Sequence, residues 1–201
     1  KKMEEIIKAA NLKKVYGLDT PYPKTALNGV SISVNKGTFA CIMGTSGSGK
    51  TTLINILSTI DEATSGKLLI FDQNIVGLSD KEKANIRKRY MGFIFQDYNL
   101  LDNMTLQDNI ALPLSLNGKR SREIIEKTKQ MASLFGLSEH LNKYPYQLSG
   151  GQKQRGASAR ALITNPRIIF ADEPTGALDS KSSKDLLISL KTGLTNDLFS
   201  G

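Results

Sequence analysis

The sequence predicts an α/β fold, and three observations carry that prediction. Short β-prone runs alternate with helical stretches along the chain. Residues 27–34 set Leu27, Val30, Ile32 and Val34 against Asn28, Ser31 and Ser33, a mostly period-two pattern that reads as a half-buried strand. The apolar run Thr38–Met43 then passes straight into a glycine-rich loop and a helical pattern.

The elements follow in order. Lys36-Gly37 is a turn after the first strand. Thr38–Met43 reads as a buried strand, with Cys41 a small core residue inside it. Residues 50–59 place Leu53, Ile54, Ile56 and Leu57 at helical spacing. Lys67–Phe71, Met91–Phe95 and Ile168–Ala171 are further strands. Residues 80–89, 121–135 and 181–191 read as helices. Pro113, Gly118 and Gly136 break residues 97–147 into short helical pieces.

Composition bounds the class. The 201 residues suit one domain, and 39% hydrophobic with 23% charged is ordinary for a globular protein. Lys plus Arg exceed Asp plus Glu by 27 to 19, for a net charge of +8. Such a balance suits phosphorylated ligands, nucleic acid or an anionic membrane face, or is only a surface bias. Cys41 is the single cysteine, so no intrachain disulfide forms, which fits a reducing compartment. No run approaches the ~20 apolar residues of a spanning helix, and no signal peptide opens the sequence. A cytoplasmic protein is expected, which at a membrane would depend on other subunits for the spanning part.

Three motifs carry the chemistry. Gly44-Thr45-Ser46-Gly47-Ser48-Gly49-Lys50-Thr51 fits the phosphate-binding P-loop pattern, continued by Thr52. Phosphates need several backbone N–H groups converging on one point, and a Cβ would block that approach. The following helix aims its positive end at the anion. Lys50 supplies charge for the β- and γ-phosphates of ATP, and Thr51 a hydroxyl for Mg²⁺. The second motif, Ile168–Glu173, is a buried strand ending in carboxylates. Asp172 is placed to hold Mg²⁺ through water, and Glu173 to polarise the attacking water as general base. On its own this pair would be an acidic strand end before Pro174.

The third motif decides which nucleotide enzyme this is. Leu148-Ser149-Gly150-Gly151-Gln152 resembles the signature sequence of the ABC ATPase family. From the residues alone it is only a small-residue helix start able to bind an anion. The resemblance implies more: Ser149, Gly150, Gly151 and Gln152 of one subunit cover the γ-phosphate held by the P-loop of another. The chain would then carry two half-sites and work as a homodimer formed on ATP binding. Gln96 resembles the family's Q-loop glutamine, implied to touch Mg²⁺ and the membrane subunit and to share in catalysis. Asp179, in Ala177-Leu178-Asp179, matches the D-loop, and Tyr16 the aromatic residue that stacks on adenine.

The same resemblance implies a P-loop NTPase of ABC type. It has a mixed sheet core with an N-terminal antiparallel part, formed by residues 1–96 and 148–201, and an inserted helical lobe at 97–147. Phe93–Leu101 and Gly176–Ser182 look like the macrolide-exporter and lipoprotein-release branch, and most like the Bce-type ATPases of bacitracin and lantibiotic resistance. That branch implies an integral-membrane permease partner, a sensor kinase reached through it, and a position on the inner face of the cell membrane. No nucleic-acid partner is expected, since residues 97–147 show no sustained heptads such as a DNA-repair member carries.

One departure stands out. In the family, a histidine that contacts the γ-phosphate lies beyond the glutamate matched here by Glu173. Here no histidine follows Glu173, and the sole histidine, His140, precedes the signature, where it reads as surface or lobe packing. The C-terminal part of the family domain is expected to be missing from this sequence, and a chain ending here should bind ATP but turn over slowly. Two other readings compete: a soluble non-transport ABC ATPase, and an ATP-gated assembly module with weak hydrolysis.

Overall fold

A computed structural model describes residues 4–95 and 97–172. The chain divides into two compact units, Lys1–Arg87 and Lys88–Gly201.

The first unit is built on β1 (Glu5–Tyr16), an inner strand of an antiparallel sheet whose order is β2 (Lys24–Asn35), β1, β3 (Ser65–Ile70), β4 (Gln73–Asn74). It pairs with β2 through Ile7↔Val34 and Ala9↔Ile32, and with β3 through Ile7↔Ile70 and Ala9↔Leu68. Both ladders slip near Asn11, whose φ is 52°. The extra residue is a bulge that returns Leu12 to the buried face, where it is fully covered. Gly66 (φ 110°) lies against it, because a Cβ there would sit 2.6 Å from the Asn11 carbonyl oxygen. Phe71 and Asp72 (φ 49° and 60°) turn β3 into β4 with the positive φ pair that tight hairpins demand.

Two helices belong to this unit. Helix α1 (Lys50–Leu57) buries Leu53, Ile56 and Leu57 and contacts β1 and β2. Helix α2 (Asp80–Tyr90) buries Ile86 and the stem of Lys83, whose ammonium pairs with Glu62. The Arg87 guanidinium donates to the Thr59 carbonyl at 2.6 Å.

Thr38–Met43 departs from expectation. The run is irregular, with Phe39 at 79% and Met43 at 87% exposure, and Cys41 is exposed rather than a core residue. Strand propensity expresses itself only against a partner, and no ladder among the described residues includes this run.

In the second unit, β5 (Met91–Ile94) and β6 (Ile168–Ala171) pair in parallel, Met91 with Ile168 through Ile94 with Ala171. Three helices, α3 (Leu106–Leu116), α4 (Ser121–Leu134) and α5 (Gly150–Leu162), pack around Ile110, Leu114, Met131, Phe135, Leu137 and Ile163. Backbones approach closely here. A Cβ on Gly92 would lie 2.4 Å from the Ala161 carbonyl oxygen, and one on Gly156 would lie 2.6 Å from Leu106 Cδ1. Pro113 does not break its segment, because α3 runs through it. A proline inside a helix costs about 3 kcal/mol. Burial of Leu106, Ile110 and Leu114 on one face offsets it at about 1.5–3 kcal/mol per side chain.

The sheet in the first unit is the N-terminal antiparallel part foreseen from the sequence, and the mixed α/β content agrees with the predicted class. The helix expected at 181–191 lies outside the described residues.

Candidate nucleotide-binding site

The P-loop is shaped by steric exclusion. Gly47 and Gly49 take φ of 79° and 89°, the left-handed region where side chains are strained. A Cβ at Gly49 would also meet the Ala26 carbonyl oxygen at 2.5 Å, and one at Gly44 would meet Ser48 Oγ at 2.5 Å. A turn bond from Ser48 N–H to the Thr45 carbonyl, 3.2 Å, closes the loop. Gly49 is the N-cap of α1 and offers no capping side chain, and the first turn holds no acidic residue. The helix therefore presents the positive end of its dipole toward the loop. Lys50 Nζ donates to the Gly44 and Thr45 carbonyls at 2.7 and 2.8 Å, so the ammonium lies against the loop it closes. Thr45, Ser46, Gly47, Ser48 and Thr51 are exposed, while Thr52 is half-buried.

Tyr16 ends β1 and is 42% exposed. Its hydroxyl donates to Asp61 Oδ2 at 3.0 Å, and Lys14 Nζ lies 4.8 Å from the ring centre while bonding Asp61 Oδ1 at 2.7 Å. One ring edge is thus tethered. The sequence singled out Tyr16 but gave no sign of Lys14 and Asp61, which reach it only through the fold.

In the second unit, Asp172 follows β6 directly. Its N–H donates to the Ile94 carbonyl at 3.0 Å, extending the ladder by one bond and placing the half-buried carboxylate at the C-terminal end of a parallel pair. Such ends are where open α/β sheets bind ligands. Glu173, Asp179 and Gln96 lie outside the described residues.

The signature opens α5. Ser149 is its N-cap, and its Oγ accepts from the Gln152 N–H at 3.2 Å while Gln152 Oε1 accepts from the Ser149 N–H at 2.9 Å. This reciprocal capping box was legible as S-x-x-Q, although the motif was read above only for its glycines. Gly150 passes close to Tyr98, since a Cβ there would lie 3.3 Å from the phenol oxygen. His140 is half-buried, and its Nε2 lies 3.0 Å from Gln152 Nε2. No sequence signal linked the two.

The first unit carries a P-loop and the second a strand-end carboxylate and a capped small-residue helix, each a mark of a nucleotide-binding cassette, and the chain belongs to the ABC transporter family, whose pattern matches residues 27–176. It is 51% identical over 186 residues to the bacitracin export ATP-binding protein BceA of Halalkalibacterium halodurans, covering 92% of this chain and 73% of that one. It is 40% identical over 198 residues to the lipoprotein-releasing system ATP-binding protein LolD of Aquifex aeolicus, covering 96% and 86%. Among solved structures, the cassette MJ0796, seen as a dimer in a post-hydrolysis state with ADP and Pi, superposes with a TM-score of 0.88. The identity is 37%, over 95% of this chain and 84% of that one. The fold is that of a P-loop ABC ATPase, and the chain is the ATP-binding, ATP-hydrolysing part of an ABC transporter.

Proposed function

We propose that this ATPase powers a permease that confers resistance to peptide antibiotics by exporting or displacing them. The observation that carries the branch is the 51% identity to a bacitracin export subunit. Among the described residues no helix is long and apolar enough to cross a membrane, so in this reading an integral-membrane permease supplies the path. The ATPase docks on its inner face, in the cytoplasm, and a sensor kinase reads the permease's state.

The proposed site divides the labour by residue. Gly44 through Thr52 cradle the ATP phosphates, Lys50 charges the β- and γ-phosphates, and Tyr16 stacks on adenine. Thr51, Gln96 and Asp172 are the Mg²⁺ residues. Thr51 and Asp172 offer hard oxygens, the donor type this ion prefers, and they leave most of its shell to phosphate and water. When bound, Mg²⁺ neutralises charge on the transferred phosphoryl group. Glu173 takes the proton of the attacking water, and Gln96 orients it. Ser149 to Gln152 and Asp179 act on the nucleotide of a second copy, in a head-to-tail homodimer. The dimeric MJ0796 structures support a dimer by analogy. In domain terms, residues 1–96 and 148–201 form the catalytic core and 97–147 the inserted lobe.

The test of the branch is reconstitution with a membrane permease of the bacitracin-export type. Bacitracin should raise ATP turnover in those proteoliposomes. Turnover unresponsive to bacitracin and to lantibiotics, yet responsive to another substrate class, would reassign the transporter.

A further inference from the structure

The sole histidine of the chain touches the signature. Hydrogen-bond logic fixes what it does there. A backbone N–H can only donate, so the Gln152 atom facing Ser149 N–H at 2.9 Å is the amide oxygen. The other end of that amide is therefore the NH₂ group, a donor, and it faces His140 Nε2 at 3.0 Å. The imidazole must accept at Nε2 and carry its proton on Nδ1. That Nδ1 is buried and has no hydrogen-bond partner among the described residues. The ring thus gives up a bond at one nitrogen while it serves Gln152 with the other.

The ring's own position is fixed from below. Ser138–His140 is a single 3-10 turn closed by His140 N–H to the Leu137 carbonyl at 2.9 Å. Leu137 is fully buried, and the His140 carbonyl accepts from Lys143 N–H at 3.0 Å. A rigid turn therefore presents an acceptor to a long, flexible side chain. With both ends of its amide bound, Gln152 is held in one rotamer. The capping box it shares with Ser149 then fixes the start of α5.

We propose that His140 is a positioning residue for the signature loop, holding Gln152 so that Ser149–Gly151 is preset to receive the phosphate of a nucleotide bound by a second copy. This rests on the proposed cross-subunit role of the signature. His140 touches no nucleotide itself.

The experiment uses the full chain carrying Glu173→Gln to accumulate the ATP-bound state. It measures two quantities: ATP affinity of the monomer at low protein concentration, and the ATP-dependent dimerisation constant by analytical ultracentrifugation. His140→Ala should weaken dimerisation about 3- to 10-fold, the worth of one hydrogen bond, with monomer affinity unchanged. His140→Gln, which places an acceptor oxygen near the site of Nε2, should restore it. General loss of fold would lower both quantities and would not be rescued by glutamine, and that pattern overturns the proposal. Ser149→Arg separates the two ideas. If it leaves dimerisation intact, the signature's cross-subunit role is wrong. If it abolishes dimerisation while His140→Ala behaves as the parent, only the role of His140 falls.

Discussion

Arg160 on α5 donates from Nη2 to the Tyr98 carbonyl at 2.9 Å and, through Nη1, to the neighbouring Asn99 carbonyl at 2.6 Å. Tyr98 and Asn99 both stand at positive φ, 62° and 49°, just past the Gln96 position. One guanidinium on the signature helix thus clamps a strained turn in the segment that follows β5. Burial pulls the Arg160 pKa below the ordinary arginine value, the direction expected when a cation is taken out of water.

Replacing Arg160 by Met should destabilise the second unit by about 2 kcal/mol, the worth of hydrogen bonds to a charged group. Lysine should recover part of that, since it lacks the fork that serves two carbonyls. Asn99→Gly should partly suppress the Met variant by relieving the left-handed strain. Urea unfolding of the single and double variants measures all three. Additive losses without suppression would show that the clamp does not hold the turn.

Asn109 is fully buried and spends its whole amide on one loop. Its Oδ1 accepts from Leu101 N–H at 2.7 Å, and its Nδ2 is within 3.0–3.2 Å of the Leu101, Met104 and Thr105 carbonyls. Asn109→Leu should cost about 2–3 kcal/mol because buried backbone groups lose their partners. Hydrogen exchange should show the Leu101 amide losing protection first.

In the P-loop, Gly49→Ala combines a positive φ with a Cβ 2.5 Å from the Ala26 carbonyl oxygen. Nucleotide affinity should fall at least tenfold, because the loop must move to admit the methyl. Lys50→Ala should abolish tight ATP binding while leaving the melting temperature of the nucleotide-free protein within about 2 °C, since the lysine's partners are exposed loop carbonyls. Isothermal titration and thermal melting check both.

Glu173→Gln should trap an ATP-bound dimer, visible by size-exclusion chromatography. A chain that stays monomeric at saturating ATP in both parent and variant would remove the head-to-tail mechanism.

At the start of α2, Ser79 donates to Glu82 through its hydroxyl at 2.7 Å and its N–H at 2.8 Å. The side-chain bond, then the backbone bond, holds the Glu82 carboxyl below its usual range. A depressed folded pKa contributes stability present above the unfolded value and lost as pH falls through the folded one. Ser79→Ala should move the Glu82 titration part of the way back toward the ordinary carboxylate range, the backbone N–H bond remaining, as read by NMR.

How much was legible from the sequence follows from where the information sits. The P-loop was readable because its constraints are local: Gly44, Gly47 and Gly49 are dictated by their own φ and near neighbours, and Lys50 by its place at a helix start. β5, β6, α2, α4 and the start of α5 were readable for the same reason. Strand β1 was missed because its bulge at Asn11 breaks the alternation that marks a strand. Thr38–Met43 was misread because an apolar run shows that burial suits it, not that a partner strand is present. Pro113 was overread as a break, since packing on one face outweighs a single lost bond. The sequence by itself determined the motifs: a P-loop pattern at Gly44–Thr51, a strand-end carboxylate at Asp172, and a family signature at Leu148–Gln152. Tertiary structure alone decided that Asp61 tethers Tyr16, that Arg160 reaches Tyr98 across 62 positions, and that His140 meets Gln152. Such pairings depend on how distant segments pack. No local propensity records that, because a side chain's polar partner is chosen only once the apolar faces have set the geometry.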